Sequence, residues 1–245
     1  MTTPFVLLHP LGADRSFWNP LQAEMEPHEC VALDLPGHGS APALELSAGI
    51  EEFADAVSRQ LADLPTPVCL VGLSLGGLIA QQIALERPDL VTSVVLVDTV
   101  PVYPEPMRQM WRDRAGIARR GELSSLLAPM VEMWFSTELR AADDPRVTQA
   151  RDTFATTDPE GYARSCDLLA DTDLSPRLPS LTVPAVVVCG QEDTPPFREA
   201  ATWMAEATGA GTVHWLPGKH ACAIETPQQF ATLLRSQAQL VRAQD

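Results

Sequence analysis

The 245-residue chain contains a single lysine, Lys219, against sixteen arginines, and its formal net charge is −15. No basic patch is visible, which argues against a nucleic-acid partner or an anionic membrane surface. No apolar run approaches the roughly 18 residues a bilayer-spanning helix needs, so no membrane partner is expected. The opening MTTPFVLLHPLG has a short apolar run with no basic region ahead of it, so no signal peptide is expected. Cysteine is scarce and unpatterned: Cys30, Cys69, Cys166, Cys189 and Cys222 are odd in number and form no CxxC pair. That excludes a disulfide framework and a patterned zinc site, and it predicts a reduced, cytoplasmic setting. The phosphate-cradling patterns GxGxxG and GxxxxGK(S/T) are missing too. The remaining material is ordinary for a globular protein, 45% hydrophobic and 20% charged, in a chain long enough to bury a sizeable core.

Short β-rich runs alternate with helical stretches. Phe5–Leu8, Cys30–Leu33, Val68–Val71, Ser93–Val97, Ala185–Val188 and Thr212–Trp215 are almost wholly apolar rather than alternating. Such runs suit parallel strands covered on both faces by helices. Helical patterns follow near Asn19, over Ile50–Asp63 and Leu75–Arg87, within Arg198–Thr208, and from Gln228 to about Val241. The alternation predicts a doubly wound α/β sheet of six parallel strands. Between Val102 and Arg177 the rhythm breaks. Leu123, Leu126, Leu127, Met130, Val131 and Trp134 recur there with the spacing of one helix face. We therefore expect a sheet domain over residues 1–102 and 178–245, interrupted by a helical lid over residues 103–177.

The most informative stretch is VCLVGLSLGGLIAQQIAL, Val68 to Leu85. It places GxSxG between a strand and a helix, where a strained turn lifts a serine hydroxyl out of the sheet. Ser74 is the candidate nucleophile. Gly72 and Gly76 allow the chain to reverse tightly, and the Leu75 N–H opens a helix whose dipole favours developing negative charge. A serine hydroxyl attacks only when a base takes its proton. Of the five histidines, His220 in LPGKHACAIETP follows the last strand and can reach the C-terminal edge of the sheet, where open α/β folds gather their ligands. His214 lies inside a strand-like run and reads as structural. His220 in turn needs a carboxylate to fix its tautomer. Asp193 in VVVCGQEDTPP provides one, with Glu192 beside it; Asp98, ending SVVLVDT, is a rival acid. The turn LLHPLGADRSFW offers a second oxyanion N–H from Leu11, because Pro10 has none. His9 reads as a turn former there. In LDLPGHGSAP, Asp34 and His38 read as loop-fixing residues.

The HPLG turn, DLPGHGxS, GLSLGG, GQED and GKH loops resemble the α/β-hydrolase superfamily. MVEMWFS and DPEGYARSCDLLADTDL are most similar to the lid of the 3-oxoadipate enol-lactonase group. The resemblance covers nearly the whole chain. It implies Ser74 as nucleophile, His220 as base, Asp193 as orienting acid, Leu11 and Leu75 as oxyanion donors, and Trp134 as part of the pocket wall. It departs from many relatives in Pro10, which stands where glycine is usual, and in beginning directly at the Phe5–Leu8 strand. The expected activity is hydrolysis of a small-molecule ester or lactone through an acyl-enzyme, with neither metal nor organic cofactor. Alternatives are a small-molecule or carrier-protein methyl esterase, a cofactor-free perhydrolase, a carbon–carbon bond hydrolase, and a ligand-binding protein on the same fold. The oligomeric state is left open. Ten of the sixteen arginines lie between Glu105 and Ser180. A carboxylate-bearing lactone needs a two-pronged cation; Arg108, Arg112 and Arg164 lead for that role, with Met107, Trp111 and Trp134 lining the pocket.

Overall fold

A computed structural model describes residues 3–65 and 67–242. The strands are β1 (Phe5–Leu8), β2 (Cys30–Leu33), β3 (Val68–Leu73), β4 (Val91–Val97), β5 (Ala185–Gly190) and β6 (Val213–Leu216). They form one sheet in the order β2-β1-β3-β4-β5-β6, and every pairing is parallel. The six parallel strands expected from the apolar runs are present. Every residue of β1 and β3 is buried, because helices cover both faces of the sheet centre. At the edge, β6 is largely half-buried, and it begins one residue later than the apolar run suggests.

The helices outside the insertion are α1 (Asn19–Met25), α2 (Ile50–Ala62) and α3 (Leu75–Glu86) before it. In α2, Phe53, Ala54, Val57 and Leu61 face the core, and the Glu52 carboxylate accepts the Gly49 N–H at 2.8 Å to cap its first turn. The strand order reverses between β1 and β3. In a doubly wound sheet that reversal opens a crevice at the C-terminal strand ends. Leu11 follows β1 and Ser74 follows β3, so both candidate groups border that crevice.

Between β4 and β5 lie α4 (Glu105–Arg119), α5 (Leu127–Trp134), α6 (Thr137–Ala141), α7 (Pro145–Ala155) and α8 (Pro159–Asp171). The two ends of this insertion are tied together. Val102 and Asp173 form an isolated antiparallel bridge, and the Leu174 N–H donates to the Pro101 carbonyl at 2.9 Å. The apolar face read from the sequence splits into a 3-10 turn over Leu123–Leu126 followed by α5; Leu123, Leu126, Met130, Val131 and Trp134 are buried. After β5 come α9 (Pro195–Ala207), α10 (Cys222–Glu225) and α11 (Pro227–Arg242). α9 starts earlier than the helical pattern indicates, because Pro195 and Pro196 occupy first-turn positions whose N–H groups need no partner.

The insertion seats on the turn after β2 through Gly161 against Gly37. A Cβ on Gly161 would collide with the Gly37 backbone, which cannot rotate away. Gly161→Ala is therefore expected to lower stability by about 1–3 kcal/mol. Gly116→Ala on α4 is its control, since a Cβ there meets only the end of the Arg120 side chain, at 3.2 Å. Thermal unfolding of the two variants checks this; equal midpoints would contradict the close contact.

Candidate active site

Ser74 joins β3 to α3 with φ 54° and ψ −113°, a backbone region that L-residues rarely occupy. Its N–H donates to the Val97 carbonyl at 3.0 Å, and its own carbonyl accepts the Thr99 hydroxyl at 2.7 Å and the Leu78 N–H at 3.0 Å. A Cβ on Gly76 would strike the Leu8 carbonyl, and one on Gly72 the Gly76 backbone. Glycine at both positions is thus a packing requirement of the corner. Ser74 itself is 6% exposed.

His220 Nδ1 lies 2.8 Å from Asp193 Oδ2, and both residues are buried. The other Asp193 oxygen accepts the Thr194 N–H at 2.6 Å. Burial alone would lower the His220 pKa, but the Asp193 carboxylate outweighs it and holds the imidazole above its usual range. The Phe197 ring packs on His220 at 4.4 Å between centroids, and Tyr103 meets Phe197 edge-on at 6.1 Å. Burial and the nearby Asp193 charge raise the Tyr103 hydroxyl above its usual range, while the neighbouring Ser74 opposes them. Tyr103 therefore belongs to the aromatic wall beside the histidine. No motif marks it in the sequence; it is a lone tyrosine between Val102 and Pro104.

The turn after β1 is held by two buried histidines. The Leu35 N–H donates to His9 Nε2 at 3.0 Å, and His9 Nδ1 lies 2.8 Å from the Pro10 carbonyl. The Gly12 N–H donates to His38 Nε2 at 3.1 Å, with His38 Nδ1 3.2 Å from the Pro36 carbonyl. These partners fix both rings as neutral, with the proton on Nδ1. Burial lowers His9 to about 4 and His38 to about 3. Asp34 accepts from the Arg15 and Ser40 N–H groups, at 2.8 and 2.9 Å. Leu11 rides on this scaffold, and Leu75 opens α3 directly after Ser74.

The insertion reaches the His220 loop at several points. The Ala221 N–H donates to the Trp134 carbonyl at 3.0 Å, and Lys219 Nζ to the Glu132 carbonyl at 2.9 Å. Glu225 bridges the two segments, accepting the Lys219 N–H at 2.7 Å and the Ser136 N–H at 2.9 Å. Trp134 is buried edge-on against Phe17 at 5.6 Å. Met107 is half-buried against the core.

The three arginines favoured from the sequence are engaged elsewhere, and this corrects their reading. Arg112 points outward to Glu105 and Asp171, both at 3.1 Å. Arg164 pairs with Glu160 at 3.0 Å, one helical turn away, and Arg108 donates to the Tyr103 carbonyl at 2.9 Å. On α4 the buried residues are Trp111, Ala115 and Ala118, a phase that turns Arg112 outward and leaves Arg114 at the edge of the inner face. The Arg114 guanidinium stands 5.1 Å over the Trp111 ring, and it lowers the Tyr103 and Tyr162 hydroxyls against the effect of burial. Among the described residues Arg114 has no carboxylate partner, and the buried Trp111 Nε1 has no acceptor.

Asp98, Cys189 and Asp193 each place one ligand-type atom within 4.8 Å of the others. Their oxygens are already committed: those of Asp193 to His220 and Thr194, and those of Asp98 to Gly190 and Cys222. The cluster is therefore a hydrogen-bonded set rather than an open cage for a cation. No helix among the described residues is long and apolar enough to cross a membrane.

Comparison with known proteins agrees with this fold. The profile of the alpha/beta hydrolase family matches residues 5–233. The chain is 26% identical over 222 residues to 3-oxoadipate enol-lactonase 2 of Acinetobacter baylyi, covering 90% of this chain and 82% of that protein. It is 30% identical over 239 residues to the pimeloyl-(acyl-carrier protein) methyl ester esterase of Chromobacterium violaceum, covering 94% and 91%. The crystal structure of the enol-lactonase from Burkholderia xenovorans superposes with a TM-score of 0.89 at 28% identity, over 96% of this chain and 91% of that one.

The neutral His9–His38 pair fixes a pH dependence. Both folded-state pKa values lie below the unfolded value of about 6.5, so the unfolded chain binds more protons as pH falls. Their contribution to stability is complete above about pH 6.5 and is lost as pH falls through about 4 and then about 3. Unfolding midpoints measured from neutral pH downward should fall steadily over that window. A midpoint flat from neutrality to about pH 4 would contradict the buried neutral pair.

Proposed function

The chain belongs to the alpha/beta hydrolase family, and we propose that it is a serine hydrolase that opens small carboxylic esters or lactones through an acyl-enzyme. The observation that carries this reading is the buried His220–Asp193 pair, set at the same sheet edge as a serine held in a strained strand-to-helix turn. Ser74 Oγ attacks the carbonyl carbon while His220 Nε2 takes its proton. Asp193 stabilises the imidazolium that forms, and the raised pKa of His220 fits a base whose charged state is favoured. The Leu75 and Leu11 N–H groups receive the oxyanion, and the helix dipole of α3 adds to their effect. Imidazolium then protonates the leaving alcohol. Water attacks the acyl-enzyme with the same histidine as base, and Ser74 is regenerated. The helical insertion serves as the lid, with Trp134 and Trp111 in the pocket wall.

Within this reading the preferred substrate carries a carboxylate. Arg114 is a half-buried cation without a counter-ion, beside a buried indole N–H without an acceptor. Leaving the buried indole N–H unmatched is costly, and one planar anion beside it satisfies both groups. The enol-lactonase and methyl esterase relatives support an ester or lactone as the reacting group. The five free cysteines support a reducing, cytoplasmic setting.

With p-nitrophenyl acetate as substrate, Ser74→Ala and His220→Ala are each expected to lower kcat by about 10⁴-fold. Asp193→Asn should cost as much or less, through a misplaced imidazole tautomer. Activity retained in Ser74→Ala would end the acyl-enzyme reading. Arg114→Ala should raise KM about tenfold or more for carboxylate-bearing esters and leave neutral esters nearly unchanged. Equal effects on the two substrate sets would remove the anion subsite.

A further inference from the structure

Asp98 is the buried acid that the proposed mechanism does not use. It follows β4 with φ 41°, one of three non-glycine residues at positive φ among the described residues, and it is 1% exposed. Oδ1 accepts the Gly190 N–H at 2.7 Å, and Oδ2 accepts the Cys222 thiol at 2.9 Å. Its own N–H donates to the Val188 carbonyl at 3.0 Å. One carboxyl therefore ties together the ends of β4 and β5 and the segment just past His220.

An Asp98 oxygen also lies within 4.8 Å of an Asp193 oxygen, in a site with almost no access to water. Two carboxylates so placed cannot both ionise cheaply. Asp193 has the stronger hold on the charge, because it faces His220 as well as the Thr194 N–H. We propose that Asp98 is a positioning residue of the acid arm: a neutral carboxylic acid that confines the negative charge to Asp193, and that adds a second charge beside His220 when it ionises.

The surrounding groups agree with this assignment. Burial, and then Asp193, raise Asp98 to about 8, while His220, Cys222 and the Gly190 N–H oppose them. Cys189 on β5 and Cys222 after β6 are both pushed up by burial and by Asp98, so they remain neutral thiols. Arg198 on α9 opposes that rise at Cys189, and Tyr103 from the insertion neck stays protonated beside Asp193. Asp98 thus joins His220, itself held above its usual range, as a group in this cluster that changes charge near neutral pH. Its ionisation adds a carboxylate near the imidazolium of the transition state, which stabilises that cation.

The kinetic consequence rests on the serine-hydrolase reading, so the test has an arm that does not. Carbon-13 spectra of the aspartate carboxyls in the wild-type protein, taken between about pH 5 and 10, should contain one resonance titrating near 8, absent in Asp98→Asn. With p-nitrophenyl acetate, kcat of the wild type should rise about threefold more across this window than that of Asp98→Asn, in which only the rise from deprotonation of His220 remains. In Asp193→Asn, residual activity should climb with pH more steeply than in the variant that also carries Asp98→Asn, because Asp98 then ionises alone. A wild-type Asp98 resonance titrating below about pH 5 overturns the proposal, as does an alkaline rise of equal size in the wild type and in Asp98→Asn. If the wild type hydrolyses no ester, the serine-hydrolase reading falls and the spectra alone decide the state of Asp98. If Asp98→Asn does not fold, the wild-type titration still decides it.

Discussion

Ser74 holds a backbone conformation, φ 54° and ψ −113°, that an L-residue keeps only when its surroundings leave no alternative. Those surroundings are spread over the whole sheet. β4 supplies the Val97 carbonyl and the turn after it the Thr99 hydroxyl, the end of β1 packs on Gly76, and α3 begins at the next residue. Strain of this kind costs on the order of 1–3 kcal/mol, and the buried centre of the sheet offsets it. A parallel sheet whose central strands are buried on both faces is rigid enough to hold a corner in place. The crevice made by the reversal of strand order then brings the turn after β1 to the same edge.

Around that corner the charges are arranged by burial. His9 and His38 stay neutral because no carboxylate compensates their loss of water strongly enough, and neutral rings can accept the N–H groups of Leu35 and Gly12. His220 is equally buried, yet Asp193 reverses the sign of its shift. The same desolvation thus produces two loop-fixing imidazoles and one basic one. The difference is a single carboxylate 2.8 Å away. The insertion adds a mechanical constraint, since Glu225 and Lys219 fasten the His220 loop to the segment around Trp134.

Much of this was legible in the amino-acid order. Strands covered on both faces leave unbroken apolar runs, so β1 to β6 could be placed to within a few residues, and strand ends then brought Ser74, Asp193 and His220 to one edge. The periodicity from Leu123 to Trp134 marked a buried helix face, although its first turn is 3-10. Arginine placement was misread for a definable reason. Trp111, Ala115 and Ala118 set the phase of α4, and that phase favours Arg114 over Arg112; the signal was available in the spacing. Tyr103 and the approach of Asp98 to Asp193 had no such signal. They depend on β4 lying beside β5 and on how the neck of the insertion folds back, which local sequence does not encode.

The central claim is that Ser74 is a nucleophile activated by His220, and covalent trapping tests it without knowledge of the substrate. A fluorophosphonate reacts with an activated serine by displacing fluoride, and mass spectrometry locates the adduct. The account predicts one phosphonate per chain, on the peptide containing Ser74, and no labelling on the same timescale in His220→Ala. Labelling at another serine, or labelling of Ser74 that proceeds unchanged without His220, would contradict it.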